Sequence, residues 1–189
     1  TTYNVRKQAP SIFLLSNIGV YQLKKYSIKQ IQAMVDATQS DALAVHLNPL
    51  QEAVQPEGDR DFTNCLDAIR KLCDELSVPV VAKEVGAGIN GEVANELVDA
   101  GVKAIDVSGV GGTSWSAIEG FRKGAQSGEE FREWGLPTLD ALKQCAGAVE
   151  VPLIASGGVR NGIDVAKAIR FGATLGGAAY PFIKAQNEG

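Results

Sequence analysis

Residues 151–173 read VPLIASGGVRNGIDVAKAIRFGA, and the changes of character along this stretch decide the fold. VPLIA, 151–155, is an apolar run of strand length, closed off by polar and glycine residues. SGGVRNG, 156–162, is a turn built largely of small residues. A helix is expected from Gly162 to Phe171. Buried strand, glycine turn and helix make up half of a βαβ unit, and the same order recurs along the chain.

Downstream, 174–177 gives a short further strand. Upstream, 104–107 is a strand that empties into SGVGGTSW, 108–115. A polar segment over 119–134 then reads as a loop or mobile insertion before a helix at 138–148. PVVAKEV, 79–85, is a strand whose helix, 92–100, is stopped by Gly101. ALAVHL, 42–47, is followed by a polar loop and by a helix over 62–76 that repeats Leu66, Ile69, Leu72 and Cys73 on one face. IFLLSNI, 12–18, is the first strand. Ser27 caps a helix to Thr38 that places Ile28, Ile31, Met34 and Val35 together.

Six strands alternating with helices at roughly the 30-residue spacing of a βαβ unit require a mostly parallel sheet covered by helices. An open doubly wound sheet would gather its ligand loops at one switch point. Here polar or glycine-rich loops follow nearly every strand, which favours a TIM-type (β/α)8 barrel. About six βα units are legible, so the barrel is expected to be incomplete, within one domain spanning 1–189.

The 189 residues are 45% hydrophobic with a formal net charge of −4, which excludes disorder and argues against a nucleic-acid surface. No apolar run approaches the roughly 18 residues of a membrane span, and TTYNVRKQAP lacks the apolar segment of a secretory signal. Cys65, Cys73 and Cys145 have no C-x-x-C spacing, and they fit small buried hydrophobes in a reduced, cytoplasmic compartment.

Chemistry concentrates in ALAVHLNPLQEAVQPEGDRDF, 42–62. The only histidine of the chain, His46, ends the apolar run, and Asn48, Gln51, Glu52, Gln55, Glu57 and Asp59 follow within the loop. Two glycine turns, SGGVRNG and the Gly176, Gly177, Ala178, Ala179 run, let the backbone approach an anion closely, with N–H groups at a helix start aimed at it. Arg160 adds a possible bidentate charge. SGVGGTSW suits a second anion or a flat ring, with Trp115 expected to pack. Lys83 is costly inside a strand without an anionic or electron-rich partner, and its alternatives are a salt bridge to Glu84 or another carboxylate, or a bound cofactor. Asn17, at the same level of the first strand, is a candidate for cofactor hydrogen bonds.

Together, HLNPLQEAVQPEGDRDF, VAKEVGAG, AIDVSGVGGTSW and PLIASGGVRNGIDVAKAIRFGA resemble type 2 isopentenyl-diphosphate isomerase. The resemblance implies a β/α barrel holding FMN, with NADPH as the reductant of the flavin and Mg²⁺ bridging the substrate diphosphate. It implies that Gln51 lies over the isoprenyl diphosphate and takes part in proton transfer with the reduced flavin. Glu52 would bind Mg²⁺, and His46 and Asn48 would contact the diphosphate. Asn17, Lys83, Ser108 and Thr113 match flavin contacts, and Gly157, Gly158, Ala178 and Ala179 match the flavin phosphate site. The SGGVR segment is shared with FMN-dependent hydroxy-acid oxidases, but those need a histidine base next to an arginine late in the barrel, which this chain lacks. About a hundred further residues, two barrel strands with their helices, are expected before VRKQAP. The open barrel edges would then invite self-association as a homo-oligomer. A third possibility is a truncated, inactive barrel that binds FMN or phosphate. Alone, the chain is expected to turn over weakly or not at all.

Overall fold

A computed structural model describes residues 5–122 and 126–188. Six parallel strands hydrogen-bond in chain order: β1 (Leu15–Gly19), β2 (Ala42–Leu47), β3 (Val80–Glu84), β4 (Ala104–Asp106), β5 (Leu153–Ala155) and β6 (Leu175–Gly176). An unbroken order of this kind has no switch point, which sets it apart from a doubly wound sheet. The architecture is an incomplete β/α barrel, with β1 and β6 as its two edges.

Helices α1 (Ile28–Thr38), α3 (Cys65–Glu75), α4 (Gly91–Asp99), α6 (Thr138–Ala148) and α7 (Gly162–Arg170) pack on the sheet. The period-two alternation of a strand assigns the two faces. On β2, Leu43 and Val45 are fully buried, in one cluster with Ile31 and Val35 of α1 and Ile69 and Leu72 of α3. Ala44 and His46 belong to the opposite row. On β1, Ser16 and Ile18 are buried, whereas Leu15 and Asn17 are exposed on the concave face. Leu15 on β1 is 46% exposed and Leu175 on β6 is 57% exposed, because no further strand among the described residues pairs with either edge.

Local chemistry explains the boundaries. Ser27 caps α1 with a reciprocal capping box to Gln30. Asn90 and Asn161 cap α4 and α7. Gly101, at φ +101°, ends the helical run of α4 as expected.

Other boundaries differ from the sequence expectation. The first strand begins at Leu15 and not at Ile12, since Ile12 and Phe13 are exposed. The third helix begins at Cys65 and not at Phe62. Asp61 holds the preceding turn by accepting from the backbone N–H and hydroxyl of Thr63, and Asn64 takes the left-handed conformation, φ 59°. The loop after β2 opens with a short helix, α2 (Pro49–Val54), whose proline suits the first helical position.

The segment 119–134, expected to be a loop or mobile insertion, contains helical turns among its described residues, and 123–125 lie outside the described residues. Helix α5 (Trp115–Gly120) runs into its start, a 3-10 segment covers Gln126–Phe131, and Phe131 and Trp134 pack edge to face. A last helix, α8 (Tyr180–Glu188), follows the Ala178–Ala179 turn.

No helix among the described residues is long and apolar enough to cross a membrane. The three cysteines are free, and burial pushes the Cys73 and Cys145 thiols up to about 11, which keeps them protonated and inert as expected of packing residues.

Leu72 has no exposed surface. Leu72→Ala should therefore lower stability by about 2–5 kcal/mol, read as a lower urea midpoint at unchanged slope.

Candidate active site

The concave face of the sheet opens into a cavity of about 800 Å³ at the C-terminal ends of the strands. Ten of the residues singled out from sequence line it: Asn17, His46, Gln51, Lys83, Ser108, Thr113, Gly157, Gly158, Ala178 and Ala179. They come from the ends of all six strands, as a barrel site requires. Asn48 and Glu52 lie outside the cavity wall, in the turn behind Gln51.

Asn17 Nδ2 lies 2.9 Å from His46 Nδ1. An amide nitrogen only donates, so neutral His46 carries its proton on Nε2. Burial, and secondly the Lys83 charge, hold the imidazole pKa below its ordinary value. Lys83 Nζ donates to the backbone carbonyl of Glu84 at 2.7 Å. The alternative Lys83–Glu84 salt bridge is corrected, because the Glu84 carboxylate is committed elsewhere. It accepts the N–H groups of Val85, Gly86, Ala87 and Gly88 and so folds the loop after β3.

Gln51 is gripped at both ends of its amide. Nε2 donates to Glu119 Oε1 at 3.0 Å, and Oε1 receives Asn48 Nδ2 at 3.3 Å. Asn48 Nδ2 also donates to Glu52 Oε1 at 3.0 Å, and Glu52 Oε2 accepts the Asp59 N–H at 2.7 Å. The last bond depends on Gly58, where any Cβ would overlap the Glu52 backbone. Glu119 Oε2 receives Arg122 at 2.7 Å, and Arg122 also binds Glu57. A ring of contacts thus runs from the loop after β2 to α5 and back, with Gln51 at its cavity side. Asn48 Oδ1, in a residue only 4% exposed, has no hydrogen-bond partner among the described residues.

The glycine turns interlock. A Cβ on Gly157 would overlap the Gly109 carbonyl, and one on Gly158 the Gly111 carbonyl. Gly157 and Gly158 sit at φ +101° and +83°, where side chains are strained. Among the described residues the N–H groups of Gly157, Gly158, Ala178 and Ala179 donate to no protein acceptor, so they are available to an anion. Trp115, expected to pack, is 44% exposed at the cavity rim, because it opens α5 there.

Three residues escaped the sequence reading. Glu119 and Ser156 carry no marked pattern, and Glu119 becomes notable only when α5 is placed beside α2. Asp106 did carry a signal, the same one as Lys83: a charge inside an apolar strand.

The sequence profile of the FMN-dependent dehydrogenases matches residues 19–189, and the chain belongs to that family. Among curated relatives, it is 50% identical to the isopentenyl-diphosphate delta-isomerase of Halobacterium salinarum over 98% of this chain and 53% of that protein. It is 48% identical to the isomerase of the same name from Nostoc, over 99% and 55%, and 49% identical to that of Rickettsia bellii, over 97% and 56%. The chain therefore spans about half the length of the curated relatives it matches.

His46 gives a clean pH prediction because it is the only histidine. Its ring resonances should titrate with a midpoint below 6.5. Between that midpoint and 6.5 the unfolded chain binds more protons than the folded one. The stability His46 contributes should accordingly be intact above pH 6.5 and decline as pH falls through this window. A midpoint at or above 6.5 in an NMR titration would contradict the half-buried, neutral ring.

Proposed function

We propose that this chain carries the FMN-binding and substrate-turning part of an isomerase that interconverts isopentenyl and dimethylallyl diphosphate with Mg²⁺. The observation that carries the proposal is Gln51, a neutral amide gripped at both ends on the wall of a glycine-framed cavity. Moving a double bond by one carbon needs a proton added at one end and one removed at the other. An amide is neither a useful acid nor a base, so Gln51 is suited to orient and to pass a hydrogen bond.

The residues fit FMN. The unpartnered N–H groups of Gly157, Gly158, Ala178 and Ala179 would hold its phosphate, while Asn17, Lys83, Ser108 and Thr113 would line its ring. When bound and reduced, with NADPH as the electron source, the flavin supplies an electron-rich face that steadies cationic charge. His46 presents its Nε2 proton as a donor to the diphosphate.

For Mg²⁺ the fit is a sparse one. No group of three or more His, Cys, Asp and Glu side chains gathers as a metal cage among the described residues. A hard cation held by one carboxylate and substrate phosphates needs none. Glu52, whose two oxygens accept from Asn48 and from the Asp59 N–H, would supply that carboxylate through its remaining lone pairs. Asn48 has both amide hydrogens committed to Gln51 and Glu52, and its free atom is an oxygen. It therefore serves the diphosphate through a cation or water better than by direct contact.

A dehydrogenase acting on a 2-hydroxy acid needs a competent base. The single histidine is on β2, and its basicity is lowered, which disfavours that alternative.

Titration of FMN into the protein should quench its fluorescence and shift the visible spectrum. A 2-hydroxy acid should leave the bound flavin oxidised, and bleaching by it would favour the dehydrogenase. Glu52→Gln should raise at least tenfold the Mg²⁺ concentration needed for pyrophosphate binding, measured by calorimetry. An unchanged Mg²⁺ titration would remove Glu52 from the metal role.

A further inference from the structure

Asp106 is a carboxylate in the cavity wall that double-bond migration does not call on. It ends β4 in register with Lys83 on β3, which is itself in register with His46 on β2. Three adjacent strands, about 4.8 Å apart, thus present imidazole, ammonium and carboxylate in one row.

Burying a carboxylate is costly unless its charge is answered, yet among the described residues Asp106 makes no ion pair. Its Oδ1 receives the Ser156 hydroxyl at 2.6 Å and the Ser108 N–H at 3.3 Å. Both partners head glycine turns of the site. Ser108 is also held at φ 37°, a left-handed conformation uncommon for serine. Ser156 Cβ lies where a Cβ on Gly177 would press against it, 2.9 Å away. One carboxylate therefore seats two turns; burial raises its pKa, and the Ser156 hydroxyl and, at long range, the Lys83 charge favour its ionised form.

We propose that Asp106 is a positioning residue of the flavin site: it opposes the Lys83 charge, so that a bound flavin meets a balanced pair instead of a lone ammonium, and it clamps the phosphate turn through Ser156. The inference rests on the FMN assignment above. A flavin gains negative charge on reduction, and a nearby carboxylate resists that gain. Asp106→Asn keeps an acceptor for Ser156 and removes the charge, whereas Ser156→Ala keeps the charge and removes the clamp. The two contributions can therefore be separated.

The test measures dissociation constants of oxidised and of anaerobically reduced FMN for the unaltered chain and both variants. Asp106→Asn should tighten reduced FMN over oxidised FMN by about tenfold, which is about a 30 mV rise for a two-electron couple. Ser156→Ala should weaken both forms alike, by about tenfold, leaving their ratio unchanged. Should Asp106→Asn fail to fold, Asp106→Ser is read by the same ratio. FMN binding with an unchanged ratio in the Asp106 variant overturns this inference alone. Failure of the unaltered chain to bind FMN in either state overturns the FMN assignment, and the inference falls with it.

Discussion

The pleat of the parallel strands is the constraint on which the rest of this structure depends. Along β2 it sends Leu43 and Val45 into the helical layer and turns Ala44 and His46 to the concave face. The same division on β3 and β4 sets Lys83 beside His46 and Asp106 beside Lys83. A slip of one residue would bury His46 and expose Val45, so burial of the apolar row holds the register of the site as firmly as that of the core. Chemistry and stability are therefore two faces of the same strands.

Above the strand ends, polar contacts take over from packing. Glu57, Arg122, Glu119, Gln51, Asn48, Glu52 and the Asp59 backbone are linked in sequence, joining the loop after β2 to α5. Each link is modest, and the exposed Arg122–Glu57 pair on its own contributes little. The buried members, Asn48 and Glu119, cannot release their partners without leaving polar groups unsatisfied. On the other side of the cavity, the glycines of the turns after β4 and β5 let backbones meet where any side chain would overlap. One wall is thus built from hydrogen bonds and the other from the absence of side chains.

Much of this was legible in the residue order. Apolar runs of four to seven residues, glycine turns and helical periods recur because each βα unit must bury one face against its neighbours. Lys83 stood out because a charge in a strand demands a partner. Asp106 broke the same rule and was equally visible. Helix α2 was harder to see, since HLNPLQEAVQ is short and polar and its helix is started by a proline. The first strand and the third helix were each read about three residues early, because Ile12, Phe13 and Phe62 look like core residues but stay exposed, Phe62 meeting the Tyr21 ring edge to face outside any helix.

By itself, the amino-acid order determined the parallel β/α architecture and the glycine turns at the strand ends, because these follow from local period and composition. Only the tertiary structure decided that the Glu84 carboxylate folds a loop and leaves Lys83 to donate to a backbone carbonyl, with no ion pair among the described residues. It likewise brought Glu119 from 68 residues away to grip Gln51, and left the Asn48 oxygen without a partner among the described residues. Such pairings depend on which loops meet over the strand ends, and no local preference in the chain encodes that.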